Sequence, residues 1–120
     1  MFMGRSQYRK VGYREKRKDR RVLFPLLSIR VEGSNFETVD WSFGGFRVEG
    51  SDIEIAIGDP VTGTLGWNGV RFPFTGRVTR HGGEMRELAV SFTDISDAAL
   101  LFLDGRLSEF LSSRRKELRA

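Results

Sequence analysis

The sequence contains no cysteine and one histidine, His81, among its 120 residues. Without cysteine the chain cannot form disulfides, thiolate zinc sites or a cysteine nucleophile, and a lone histidine cannot build a metal site by itself. The longest uninterrupted apolar run covers residues 98–103, far fewer than the roughly 20 residues that a membrane-spanning helix needs. These absences predict a protein with no metal site, no cofactor and no membrane span.

The sequence also lacks the features of a secreted protein and of an enzyme. The first residues lead into charged positions rather than into an apolar stretch of signal-peptide length, so we expect a cytoplasmic protein. No paired acids, activated nucleophile or metal-ligating cluster stand together, and we therefore expect no catalytic residues. With 39% hydrophobic and 12% aromatic residues, the chain suffices for one small domain with a single core.

The net charge of +4 is distributed unevenly along the chain. Residues 1–21 hold nine of the twenty Lys and Arg residues against two acidic ones, which gives this segment a charge of +7. Residues 22–113 carry −6, and residues 114–119 carry +3. A basic segment predicts an anionic partner. We call residues 1–21 the basic arm and expect it to precede a folded body over 22–95 and a helix over 96–120.

The folded body has the pattern of short antiparallel strands. Apolar runs alternate with Gly, Asn, Asp and Pro, and the pair Asn68-Gly69 between two such runs is the strongest short signal for a β-hairpin. Six strands of this spacing predict an all-β fold, a small barrel or sandwich. The predicted strands cover residues 24–31, 36–42, 46–48, 61–67, 70–80 and 88–92.

The last segment has helical periodicity instead. Ser96 or Asp97 can cap a helix that extends beyond residue 113, because apolar residues then recur at intervals of three and four. Those residues are Leu100, Leu103, Leu107, Phe110 and Leu111. Leu101 and Phe102 lie off this stripe and widen the apolar face. The wider face predicts either a homodimer through the helix or a helix that packs on the barrel with both faces.

Two short motifs stand in a particular order. The basic arm ends in Arg17-Lys18-Asp19-Arg20-Arg21, which contains R-x-x-x-R, and the pattern D-x-S-x-x-G begins 19 residues after Arg21, at Asp40-Trp41-Ser42-Phe43-Gly44-Gly45. Either motif alone is weak, since a terminal basic cluster is usually a solvated or nucleic-acid-binding tail. The pair, in this order and at this spacing, resembles the PilZ family of cyclic di-GMP receptors over nearly the whole chain.

The resemblance implies a six-stranded antiparallel β-barrel followed by a C-terminal helix, and it implies which residues contact the ligand. These are Arg17, Arg21, Asp40, Ser42 and Gly45, with Arg20 as an additional phosphate contact and Gly44 as a second glycine of the turn. Lys16 stands where many members of the family have another arginine. The resemblance also implies a stand-alone receptor that acts on a downstream effector, such as the motility or exopolysaccharide machinery.

The chemistry of these residues fits the ligand. An arginine fork can donate two hydrogen bonds to guanine N7 and O6 or to a phosphate. The Asp40 carboxylate can accept from guanine N1–H and N2–H, which adenine lacks, and Ser42 projects to the same face of a strand as Asp40. We expect an anionic ligand to order the basic arm over the barrel and so to change the surface offered to a partner.

A different function remains open at this point. A small barrel could bind single-stranded nucleic acid through the basic arm and its aromatic residues. Such binding would weaken steeply with salt and would not depend on Asp40. Because both motifs occur together, we consider nucleic acid the less favoured partner.

Overall fold

The computed structural model describes residues 21–119, which form seven β-strands and one α-helix. All of the basic arm except Arg21 lies outside the described residues. The elements are β1 Ser28–Val31, β2 Ser34–Glu37, β3 Asp40–Ser42, β4 Gly45–Val48, β5 Pro60–Trp67, β6 Val70–Gly82, β7 Glu87–Ile95 and α1 Asp97–Arg119.

The strands form one curled antiparallel sheet in the order β2-β1-β5-β6-β7-β4-β3. The two outermost strands, β2 and β3, are consecutive in the chain and are joined by only Thr38 and Val39. The Thr38 N–H donates to the carbonyl of Leu27, just before β1, at 3.0 Å, and the Val39 N–H donates to the carbonyl of Arg47 in β4 at 2.8 Å. The chain therefore passes from one edge of the sheet to the other within two residues, and this curling agrees with a PilZ-like β-barrel.

This passage corrects the predicted strand count. The predicted strand 36–42 is two strands, β2 and β3, because its first half pairs with β1 and its second half with β4. The apolar residues change phase between Phe36 and Val39, but nothing in the segment itself shows that its halves pair with different strands. The predicted strand 24–31 is shorter in the structure, Ser28–Val31, and the other four predicted strands are present with bounds that differ by up to three residues.

The hairpin at Asn68-Gly69 is confirmed. Trp67 pairs with Val70 across a two-residue loop, in which Asn68 has a φ of 56° and Gly69 a φ of 87°. Both values lie in the left-handed region that a type I′ turn needs at its two central residues.

Helix α1 starts where the cap predicts and packs on the sheet with its apolar stripe. The Ala99 N–H donates to Ser96 Oγ at 3.1 Å, so Ser96 caps the helix. Leu100, Leu103 and Leu107 are buried, whereas Leu101 is 67% exposed. No helix of the described residues is both long and apolar enough to cross a membrane.

The core of the sheet is formed by Val22, Leu27, Ile29, Val31, Trp41, Phe46, Val48, Leu65, Phe74, Leu88 and Val90, among others.

Candidate functional site

A short backbone pairing positions the end of the basic arm beside β3. The Val22 N–H donates to the Trp41 carbonyl at 2.7 Å, and the Trp41 N–H donates to the Val22 carbonyl at 3.0 Å. Val22 and Trp41 both point into the core. Because side chains of an extended chain alternate between faces, the neighbouring Arg21 and Asp40 are directed to the other face of the sheet.

Arg21 joins the two sequence motifs there. Its Nε donates to Asp40 Oδ1 at 3.0 Å, its Nη2 donates to the same oxygen, and its Nη1 donates to Ser42 Oγ at 3.2 Å. Ser42 Oγ also accepts from the Gly44 N–H at 3.1 Å. The last arginine of R-x-x-x-R therefore contacts the first two polar residues of D-x-S-x-x-G directly.

The second oxygen of Asp40 is held by Arg47, a residue that the sequence motifs do not include and that we did not predict. Asp40 and Arg47 lie opposite each other in the β3–β4 pair, and Arg47 Nε and Nη2 donate to Asp40 Oδ2 at 3.2 and 2.8 Å. A two-residue turn between Ser42 and Gly45 fixes this register, and the sequence contains that turn in Phe43-Gly44. From this turn, the pairs Ser42–Gly45, Trp41–Phe46 and Asp40–Arg47 follow in order, so the position of the turn would have predicted that Arg47 lies opposite Asp40.

The ion pairs continue across the sheet to β6. Arg47 Nη1 donates to Glu87 Oε2 on β7 at 3.0 Å, and Arg80 Nη1 on β6 lies 3.6 Å from Glu87 Oε1. Arg21, Asp40, Arg47, Glu87 and Arg80 thus form a row of side chains with alternating charge. We call these five residues the charge row; its formal net charge is +1.

The pairing determines the ionisation of Asp40. Burial by itself would raise the pKa of this carboxyl group, but the hydrogen bonds from Arg47 and Arg21 and the charges of both arginines outweigh burial and hold the pKa below its usual range. The pKa of Arg47 is raised by its hydrogen bonds to Asp40 and then to Glu87. Asp40 is therefore ionised at neutral pH.

Two adjoining depressions flank Arg21. One, of about 320 Å³, runs along the β3–β4 turn and the middle of β7, and the other, of about 570 Å³, lies over the charge row. Both are lined by Arg21, Thr79 and Ala89. Their volumes fall in the range of small-molecule sites. The Arg21 side chain is 48% exposed, so that a ligand in either depression can reach its guanidinium group.

The comparison with protein families agrees with the two motifs. A family model described as PilZ domain matches residues 15–109, a range that includes both motifs and the sheet. The chain belongs to the PilZ domain family. This family consists of cyclic di-GMP receptors, which are binding modules rather than enzymes.

A solved structure has a similar fold. The structure of Bacillus subtilis inhibitor of motility (MotI/DgrA) matches with a TM-score of 0.60 at 11% sequence identity, over 80% of this chain and 49% of that one. This PilZ domain thus spans about half the length of that protein. At this identity the similarity concerns the fold alone. No curated protein matches the sequence.

The structure brings five of the seven predicted site residues of this PilZ domain to one place: Arg21, Asp40, Ser42, Gly44 and Gly45. Arg17 and Arg20 lie outside the described residues. Within residues 21–119, no cluster of His, Asp and Glu is arranged to hold a metal ion.

The two glycines of the second motif lie at the β3–β4 turn, and neither has a positive φ. Gly45 instead lies against β7, where a Cβ would stand 1.9 Å from the Val90 carbonyl oxygen. Close approach of β4 to β7 therefore requires glycine at position 45.

Proposed function

We propose that this PilZ domain binds cyclic di-GMP at the surface around Arg21. The proposed contacts are Arg17, Arg20, Arg21, Asp40, Ser42, Gly44 and Gly45. The observation that supports the proposal most directly is the set of hydrogen bonds from Arg21 to Asp40 and Ser42, because they join both family motifs in one site. No catalytic step is part of this proposal.

The electrostatics favour a dianionic ligand. Cyclic di-GMP carries two phosphodiester charges, and the charge row, which includes Arg21, has an excess of one positive charge before the rest of the basic arm is counted. Arg21 can donate two parallel hydrogen bonds to a phosphate, or to N7 and O6 of guanine, with its half-exposed guanidinium group. A phosphate that takes these donors replaces one acceptor, the Asp40 carboxylate, with another of the same charge.

Asp40 supplies the selectivity for guanine in this proposal. Each carboxylate oxygen can accept two hydrogen bonds, so the departure of Arg21 frees Oδ1 for guanine N1–H and N2–H. Adenine has no matching pair of donors on that edge. We therefore expect the site to prefer cyclic di-GMP over cyclic di-AMP.

Calorimetric titration tests the proposal. Arg21→Ala and Asp40→Ala should each weaken cyclic di-GMP binding by roughly 1.5–3 kcal/mol, the usual range for a hydrogen bond to a charged group. Arg71→Ala is the matched control, since Arg71 is exposed and lies eight residues from Thr79 along β6, roughly 26 Å away. Absence of a saturable signal at about 50 µM ligand would rule out the proposal, given that a site of this kind needs micromolar affinity or better.

The same variants separate the proposal from nucleic-acid binding. A barrel that holds single strands by charge and stacking should shift oligonucleotides equally well with and without the Asp40 carboxylate. If Asp40→Ala abolishes cyclic di-GMP binding, and neither the wild type nor the variant shifts oligonucleotides in a gel, the result supports the receptor.

We further propose that the receptor acts in the cytoplasm as a stand-alone adaptor. Ligand would fix the basic arm over the sheet and so change the surface offered to an effector of the motility or exopolysaccharide machinery. The opposite charges of the arm, +7, and of residues 22–113, −6, support this coupling. Trypsin should cleave the arm more slowly when cyclic di-GMP is present, and an unchanged cleavage rate would contradict it.

A homodimer through α1 is also proposed. Leu101 is 67% exposed, whereas Leu100, Leu103 and Leu107 of the same helix are buried, which supports an apolar contact at Leu101. Light scattering should show a dimer that Leu101→Arg dissociates. A wild-type protein that is monomeric at high concentration would contradict the dimer.

A further inference from the structure

Arg47 is bound on two sides by carboxylates. Its Nε and Nη2 donate to Asp40 Oδ2, and its Nη1 donates to Glu87 Oε2, so all three nitrogens of the guanidinium group are engaged. The Arg47 side chain is 31% exposed, against 48% for Arg21. Neither family motif includes Arg47, and neither assigns it a role.

Ligand binding creates an electrostatic cost at Asp40. If Arg21 moves to a phosphate or guanine, as the proposed function requires, the Asp40 carboxylate loses one of its two charged partners. That side chain is only 10% exposed, and a carboxylate buried to this degree is strongly destabilised when it has no charged partner. The N–H groups of guanine are neutral, so they satisfy the oxygen lone pairs without balancing the charge.

Arg47 is placed to remain on Asp40 when Arg21 leaves. It lies within a paired strand, opposite both Asp40 on β3 and Ala89 on β7, and Glu87 holds its outer nitrogen. Arg21, by contrast, precedes the strands, and the backbone beside it is anchored through the isolated bridge between Val22 and Trp41. A ligand therefore reaches and moves Arg21 more readily than Arg47.

We propose that Arg47 is a positioning residue of the ligand site, which holds the Asp40 carboxylate in place and keeps it charge-paired while Arg21 exchanges Asp40 for the ligand. This inference rests on the proposed function. Arg47 acts on the ligand only through Asp40 and Arg21. Removing Arg47 leaves Arg21 as the sole charged partner of Asp40, and the ligand must then compete with a tighter ion pair.

Calorimetry with cyclic di-GMP tests the role of Arg47. Arg47→Gln should raise the Kd about tenfold, the change that corresponds to one hydrogen bond to a charged group. Arg47→Lys keeps the charge but loses the planar fork that binds Asp40 and Glu87 together, so its Kd should lie between those of the wild type and Arg47→Gln. Arg71→Gln is the control for loss of an exposed arginine. An unchanged Kd in Arg47→Gln would overturn the proposal.

Combining Arg47→Gln with Asp40→Asn distinguishes an Arg47 that positions Asp40 from an Arg47 that contacts the ligand directly. In Asp40→Asn the carboxylate charge is absent, so adding Arg47→Gln should change the Kd by less than about twofold if Arg47 acts through Asp40. A further tenfold loss in the double variant would show that Arg47 contacts the ligand itself and would overturn the positioning role.

Glu87→Gln keeps the test decisive if Arg47→Gln does not fold. This variant removes the negative charge that holds the outer nitrogen of Arg47 without touching Asp40, and it should raise the Kd about two- to fivefold. An unchanged Kd in a folded Glu87→Gln protein would then overturn the proposal. Failure of the wild type to bind cyclic di-GMP would overturn the proposed function and this inference together, whereas tight wild-type binding with insensitive variants would overturn the inference alone.

Discussion

Replacing Asp40 with asparagine tests how far the charge row stabilises the fold. Asparagine has nearly the same shape as aspartate and keeps one oxygen acceptor, so the change removes the charge and leaves the packing intact. In the wild type the carboxylate accepts hydrogen bonds from Arg21 on one oxygen and from Arg47 on the other. The variant leaves both arginines facing a neutral amide.

The expected magnitude follows from the exposure of the three side chains. Breaking a fully buried ion pair costs about 3–5 kcal/mol, because the remaining charge is left without a partner or water. Arg21 and Arg47 are 48% and 31% exposed, and Arg47 keeps its pair with Glu87, so solvent offsets much of that cost. We expect Asp40→Asn to lower the free energy of unfolding by about 1–2 kcal/mol at pH 7, and the melting midpoint by roughly 3–10 °C.

The effect should disappear in acid. The pKa of Asp40 is lower in the folded protein than in the unfolded chain, so its contribution is fully present above the unfolded pKa, about 3.9, and is lost as the pH falls through the folded pKa. Urea unfolding followed by tryptophan fluorescence at several pH values between about 3 and 7 measures this. The difference between wild type and variant should be constant above about pH 5 and shrink below about pH 4. A difference that persists unchanged in acid, or none at pH 7, would refute the reasoning.

Two further predictions concern packing and use matched pairs of variants in urea unfolding. Gly45→Ala should destabilise the fold by more than about 2 kcal/mol, because the new Cβ meets the Val90 carbonyl oxygen, whereas Gly105→Ala in α1 has nothing within 4 Å and should stabilise by up to about 1 kcal/mol. Equal effects of the two alanines would contradict the close approach of β4 to β7. In protein dilute enough to be monomeric, Leu103→Ala should cost about 2–5 kcal/mol and Leu101→Ala less than about 0.5 kcal/mol, since the first side chain is fully buried and the second is 67% exposed. If Leu101→Ala lowered the free energy of unfolding as much as Leu103→Ala, the Leu101 side chain would have to be buried rather than exposed to solvent.

Local chemistry made several features predictable from the sequence. The hairpin at Asn68-Gly69 depends on two adjacent residues that tolerate positive φ, and the start of α1 depends on the Ser96 hydroxyl and the stripe that follows it. Each signal is contained within a few residues, so it survives without knowledge of what packs against it. The two motifs were recognisable for the same reason.

Features that depend on partners distant in sequence were not predictable in this way. The strand predicted over 36–42 divides because two different strands bind its halves. The requirement for glycine at position 45 comes from the Val90 carbonyl, which lies 45 positions further along the chain. Arg47 belongs to the site through the register of the β3–β4 pair, which places it opposite Asp40 although it lies outside both motifs.

The sequence by itself determined the all-β body, the capped helix, the basic arm and the identity of the residues in both motifs, because composition, periodicity and turn chemistry act locally. Only the tertiary structure decided which charges meet. It placed Arg21 on Asp40 through the bridge between Val22 and Trp41, and it added Arg47 and Glu87 from two other strands. Coulomb energies depend on distance and burial in three dimensions, and for pairs 19 and 40 residues apart neither is contained in the order of the chain.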